Sequence, residues 1–239
     1  MSLAPATPMS ESAREYLARR TVEACRVARD AAATAAEGIA TGSAATLNSL
    51  RAREAELDVL DMEIDSGVTV AIAGAEATEA RELLACMKFM INLERIGDLL
   101  LSFANSALAC LGRIEPDDAR ELTRMATLLE KMLTDAGESF SGRDLARAVE
   151  VIRTDAEMDR LRNLIFLRHI ENPEGLPRQS SLQIIFMTQC LERAGDHAKN
   201  LAEEVCHYVS GHTVRHVMMT SGKPVEQQMF LERLKRKQQ

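Results

Sequence analysis

The sequence predicts an all-α protein built as two tandem three-helix bundles related by internal duplication. Three observations carry that expectation. Aromatic residues make up only 3% of the 239 residues, with no Trp, while the strong helix formers Ala, Leu, Glu and Arg are plentiful. No proline occurs between Pro8 and Pro116, which leaves room for several long helices in succession. The pentamer Glu94-Arg95-Ile96-Gly97-Asp98 returns 98 positions later as Glu192-Arg193-Ala194-Gly195-Asp196, with four of five residues unchanged. Each copy places two carboxylates one helical turn apart on one face. Each also carries a mid-helix glycine, which costs about 1 kcal/mol relative to alanine and so calls for a packing or functional reason.

In chain order, residues 1–10 hold Pro5 and Pro8 and read as a loose N-terminus. Apolar positions then recur at helical spacing over 11–40, 44–73 and 76–111. Gly38 with Gly42, and Gly74, are the expected breaks. Glu115-Pro116-Asp117-Asp118 is a helix start, with proline near the first helical position and acids in the first turn. Runs over 116–139, 143–171 and 179–209 follow. The segment Gly137 to Gly142 separates the first pair, and Asn172-Pro173-Glu174-Gly175-Leu176-Pro177 the second. The resulting division is a first unit over 11–112, a second over 113–212, and a polar, basic tail over 213–239, with Gly211 closing the sixth helix. Such a tail ordinarily stays solvated.

The acids outnumber the bases, 36 against 29, for a net charge of −7. This argues against nucleic acid as a partner. Cys25, Cys86, Cys110, Cys190 and Cys206 form no CxxC pair, and read as small buried hydrophobes in a reducing, cytoplasmic setting. The N-terminal residues show no secretory pattern. No apolar run approaches the ~18 residues of a membrane span. Membrane association is therefore expected to be peripheral, through partners. Long bundle faces could pair, so a homodimer is expected.

Glu94 and Asp98 share a helical sector with Met87, Met90, Leu101 and Asn105, which places them toward a packing face. Glu192 and Asp196 share theirs with Ile185, Thr188, Gln189, Lys199 and Glu203, a more polar setting that suggests a more open site. The second helix adds Glu54, Asp58, Asp61 and Asp65 beside an apolar seam of Leu57, Leu60, Ile64 and Val68. The fifth adds Asp155 and Asp159 next to Val151, Met158 and Leu161. Carboxylates clustered beside a seam repel one another, and a polyvalent cation would relieve this. An oxygen-only ligand set suits magnesium, calcium, manganese or iron better than structural zinc.

Surface ion pairs with Arg51, Arg53, Arg95 and Arg193 are the plainer alternative. Both readings stay open on the residues alone. Glu204-Val205-Cys206-His207 is a single Glu-x-x-His, half of what a ferritin-like di-iron bundle uses, and has no second copy. Met218-Met219 and the Met87, Met90 pair read as packing residues. Neither a nucleophile motif nor a glycine-rich phosphate loop occurs.

The pentamers and their surroundings resemble the PhoU family, regulators of phosphate uptake and phosphate signalling. The first is set in Leu93-Glu94-Arg95-Ile96-Gly97-Asp98. The second runs through Asp196-His197-Ala198-Lys199-Asn200-Leu201-Ala202-Glu203-Glu204-Val205 and on through Tyr208-Val209-Ser210-Gly211-His212-Thr213-Val214-Arg215-His216. The resemblance spans roughly residues 11–216. Leu99 and Leu100 depart from the His197 and Ala198 of the second copy, the first helix lacks a Met-Gly common in the family, and residues 217–239 extend past the usual ending.

The resemblance implies a non-enzymatic cytoplasmic adaptor that negatively regulates phosphate uptake. Its expected partners are the ATPase subunit of the phosphate ABC transporter and a membrane sensor histidine kinase. It implies metal ions, iron or zinc, on Glu94, Asp98, Glu192 and Asp196, with Glu54, Asp58, Asp155 and Asp159 contributing. Two other readings are a carboxylate-bridged di-metal enzyme, which the scarcity of histidine opposes, and a metal-free helical scaffold.

Overall fold

Helix α1 (Ala13–Thr41) opens on a capping box. The Glu15 amide donates to the Ser12 hydroxyl, and the Ser12 amide donates to the Glu15 carboxylate, so two amides without intrahelical partners are satisfied. The helix ends at Gly42, whose φ of 63° is left-handed, a conformation that glycine adopts without Cβ strain. These details belong to a computed structural model that describes residues 12–171 and 178–210.

The apolar run over 44–73 is divided. A short α2 (Ala44–Asn48), capped by Ser43, gives way at Ser49 to α3 (Leu50–Ala71). The Ser49 hydroxyl donates to the Thr46 carbonyl at 2.7 Å, a local bond that competes with the helical ladder. Then come α4 (Ala77–Cys110), α5 (Pro116–Gly142), α6 (Leu145–Glu171) and α7 (Arg178–Ser210). Pro116 and the acids Asp117 and Asp118 occupy the first turn of α5 as expected. That helix ends on Arg143, a non-glycine residue at φ 51°. Its guanidinium lies 5.2 Å from the centroid of the Tyr208 ring and 3.3 Å from a Glu82 carboxylate oxygen. Asp144 then caps α6 through the Ala146 and Arg147 amides.

Two glycines expected to break helices lie inside them instead. Gly38 is buried within α1, and Gly137 within α5, which runs on to Gly142. Both mark close approaches. A Cβ on Gly38 would stand 2.6 Å from Leu47 Cδ2 and 2.8 Å from its Cγ, and one on Gly137 would stand 3.0 Å from Cys25 Cβ. The 172–177 connection, Gly211 and the basic tail lie outside the described residues.

Each half contributes three long helices, and the halves join along two of them. Helix α1 packs on α5 and α4 on α7, while α1–α4 and α5–α7 close a ring of four. Helix α3 flanks this ring against α1 and α4, and α6 flanks it against α5 and α7. The alanines of α1, Ala24, Ala28, Ala31, Ala32 and Ala35, are all buried, and such small side chains let neighbouring helices approach. One continuous apolar core runs through both halves. Helices α3, α4, α7 and α6 thus form a row backed by α1 and α5, and no strand occurs among the described residues. None of their helices is long and apolar enough to cross a membrane.

Gly38→Ala tests the close approach. Overpacking against the fully buried Leu47 costs about 1–3 kcal/mol, whereas alanine returns about 1 kcal/mol of helix propensity. A lowered urea midpoint is expected; an unchanged or raised one would mean that Leu47 yields freely.

Candidate metal centre

Helices α3 and α4 are drawn together where Gly97 faces Leu57. A Cβ on Gly97 would stand 2.7 Å from Leu57 Cδ1 and 3.9 Å from the Glu54 Cα. The missing side chain is what lets the acid stripe of α3 lie beside Glu94 and Asp98. Burial pushes the Glu94 carboxyl above its ordinary range; Asp98 adds to this, Arg95 opposes it, and Asp61 and Asp58 contribute from across the seam. Glu54 is raised by burial and then by Asp58 and Asp98, against Arg51, and Asp61 by burial and then by Asp65 and Asp58. Five carboxylates, Glu54, Asp58, Asp61, Glu94 and Asp98, therefore share one field.

The plainer ion-pair reading is met only at the rim. Arg95 reaches Glu94 and Asp98, each at 3.4 Å, with 59% of its side chain exposed. Pairs this exposed contribute little. No lysine or arginine stands within ion-pair distance of Glu54, Asp58 or Asp61 among the described residues, and Arg53 turns instead to Glu56. The expected inward sector is an edge: Met90 is buried, but Glu94 is half-buried and Asp98 and Asn105 are still more open.

The second half repeats the contact, with Gly195 facing Met158: a Cβ there would stand 3.1 Å from Met158 Cγ. Taking Leu57 and Met158 as corresponding positions sets Glu54 against Asp155, Asp58 against Asp159, and Asp61 against Arg162. On the partner helices Leu101 corresponds to Lys199. Burial raises Glu192, with Asp196, Asp159 and Asp155 adding to it and Arg162 opposing. Asp196 is raised by burial, Asp155 and Asp159, against Lys199 and Arg162.

The second cluster is not the more open one at its centre. The Asp155 side chain is 9% exposed and that of Glu192 is 18%, against 29% for Glu94; Asp159 and Asp196 face solvent. The reason is internal charge. Lys199 Nζ lies 2.5 Å from Asp155 Oδ2, and Arg162 Nε lies 4.0 Å from Glu192 Oε1. Burial works against the Lys199 charge, but Asp155, Asp196 and Glu203 outweigh it and lift the ammonium above its ordinary value. Helical periodicity had put Lys199 in the right sector without showing its partner. Arg162 was missed, and aligning α3 with α6 on their glycine-facing residues is the signal that finds it.

Between the clusters runs a polar seam joining α4 to α7. His197 Nδ1 lies 2.9 Å from Asn92 Oδ1, Asn200 donates to the same oxygen at 3.3 Å, and Lys88 pairs with Glu204 at 2.9 Å. Burial, then Arg193 and Arg95, hold His197 below its ordinary value. Glu204 is thus the ion-pair partner of Lys88. The five cysteines are buried and free.

Among the described residues, no three His, Cys, Asp or Glu side chains are gathered closely enough to hold one ion. In donor chemistry the first cluster still fits a cation that prefers oxygen, and its mutual repulsion is of the kind such a charge would relieve. The second, with an ammonium already on Asp155, does not fit in the same way.

Comparison with known proteins agrees with this architecture. A model of the PhoU domain matches residues 21–107 and again 122–205, each match ending on the helix that carries a pentamer. A phosphate-specific transport system accessory protein PhoU homolog of Caulobacter vibrioides is 31% identical over 206 residues, covering 82% of this chain and 89% of its own. The crystal structure of PhoU from Pseudomonas aeruginosa superposes with a TM-score of 0.76 at 24% identity, over 83% of this chain and 97% of that one. That of the phosphate transport system regulatory protein PhoU from Streptococcus pneumoniae gives 0.75 at 16%, over 84% and 96%. With two family matches that together span most of its helices, the chain belongs to the PhoU domain family.

Proposed function

We propose that this chain is a cytoplasmic adaptor that restrains phosphate uptake through a phosphate-specific transporter and its phosphate-responsive two-component signalling. The observation that carries the reading is the family match over both halves. The name of the Caulobacter relative, an accessory protein of phosphate-specific transport, supports a regulator rather than an enzyme. Its partners would be the transporter's ATPase subunit and a membrane sensor histidine kinase. The row α3–α4–α7–α6 offers them a rigid face with acids on both flanks and the Lys88–Glu204 and Asn92–His197 seam between.

In this reading a divalent cation, iron, zinc or manganese, is held by Glu94 and Asp98 of α4 with Glu54 and Asp58 of α3. It supplies positive charge where the two acid stripes meet. The residues of the chain do the rest: Gly97 and Leu57 fix the spacing of the helices, and Arg95 covers the rim. The cation would tie α3 to the ring and so fix the surface presented to partners.

Deleting the gene in its own host is expected to raise phosphate uptake and phosphate-starvation reporter activity in phosphate-replete medium. Unchanged uptake and reporter output would sink the regulatory reading. A second expectation concerns Glu94. A carboxyl whose folded value lies above its unfolded one favours the fold while protonated; that contribution is full below 4.5 and is lost as pH rises through the folded value. In chelator at pH 7, Glu94→Gln should therefore melt above the wild type, by about 0.2–0.5 kcal/mol for each like-charged i,i+4 pair removed. The gap should close below pH 4.5 and reverse on adding Mn²⁺. A variant that melts lower than the wild type in chelator at pH 7 would show that Arg95 already neutralises the site.

A further inference from the structure

We infer that the second acidic cluster is closed to divalent cations by its own counter-charges, Lys199 and Arg162, so that the chain takes such an ion at the first cluster alone. This deepens the metal reading proposed above and rests on it for the first cluster. The two clusters are built by the same contact, Gly97 on Leu57 and Gly195 on Met158, and four acids correspond between them. The remaining two positions differ in charge. Where the first cluster has Asp61 and the apolar Leu101, the second has Arg162 and Lys199.

Lys199 is turned onto the acids, and Arg162 stands beside them with its Nη1 donating to Asn163 Oδ1. Lys199 Nζ sits 2.5 Å from Asp155 Oδ2, and Arg162 stands 4.0 Å from Glu192 while its guanidinium lies 5.0 Å from the centroid of the Phe166 ring. The result is visible in burial. Asp155 is almost wholly enclosed, as a carboxylate can be when its charge is met, whereas Glu54 at the corresponding place is only half-buried. A divalent ion entering the second cluster would meet a fixed ammonium at the carboxylate it needs, and would have to displace it. At the first cluster, among the described residues, Arg95 alone makes ion pairs with these acids, from the solvent side, and Arg51 acts on Glu54 without an ion-pair contact.

The consequence is an asymmetric protein. One flank, α3 on α4, would be tightened or loosened by divalent cation, while the other, α6 on α7, is held by side-chain charge at all times.

The test uses the full chain, stripped with chelator and then dialysed against Mn²⁺, with bound metal counted and melting followed with and without Mn²⁺. In the wild type, bound Mn²⁺ should be abolished by Glu94→Gln with Asp98→Asn and unchanged by Asp155→Asn with Asp196→Asn. Lys199→Gln with Arg162→Gln should bind about twice the wild-type amount and gain melting temperature with Mn²⁺, while Lys199→Arg should behave as the wild type. Loss of Mn²⁺ in the Asp155→Asn, Asp196→Asn variant overturns the inference, as does a folded Lys199→Gln, Arg162→Gln variant that binds no more than the wild type. Should that variant fail to fold, the Asp155→Asn, Asp196→Asn comparison decides alone. If the wild type binds no Mn²⁺ but the Lys199→Gln, Arg162→Gln variant does, the metal reading of the first cluster falls and the closure by Lys199 and Arg162 stands. If neither binds, both fall.

Discussion

Two helices can approach only as far as the side chains between them allow, and at Gly97 and Gly195 one helix offers none. Leu57 and Met158 fill the space that a Cβ would have taken. Glycine in the middle of a helix is unfavourable by itself, so its presence at both places makes sense only through what it admits. It admits a line of acids from the neighbouring helix to within interaction range of Glu94 and Asp98, or of Glu192 and Asp196. The charge chemistry of the protein follows from this spacing.

Once acids are crowded, their charge must be met by water, by a cation from solution, or by a cation of the chain. The two halves use different solutions. In the first, Glu54, Glu94 and Asp61 stay partly wet, and burial, then their acidic neighbours, raises all three. In the second, Lys199 and Arg162 stand among the acids, and Asp155 can sink to 9% exposure. The same backbone arrangement thus supports one acidic cluster left largely to solvent and one that holds two bases among its four acids.

The fold was legible because its signals are local and periodic. The six apolar runs, one of them divided at Ser49, the Pro116 start and the repeated pentamer are all found in the structure. What was misread depends on partners in space. Gly38 and Gly137 look like helix ends when taken alone and prove to be contact points with Leu47 and Cys25. The break at Ser49 rests on a side chain bonding back to Thr46, which apolar periodicity does not record. For the site, the wheel placed Lys199 correctly but reported the polarity of the sector rather than its enclosure. The ion pair to Asp155 depends on the register between α6 and α7, set by Gly195 against Met158 rather than by anything within either helix.

The ring of α1, α4, α7 and α5 has a consequence for the protein's inheritance. Severed between α4 and α5, each half would bare helix faces now sealed against the other, including the alanines of α1 and the leucines of α5, Leu122, Leu129 and Leu133, all without measurable exposure or nearly so. A repeat whose copies share one interior cannot easily be separated again, and a change in one copy is felt by its twin. The outer helices, α3 and α6, do not pack on the other half, and there a side chain can change sign without disturbing the shared interior. Asp61 and Arg162, alike in place and opposite in sign, sit on those two helices.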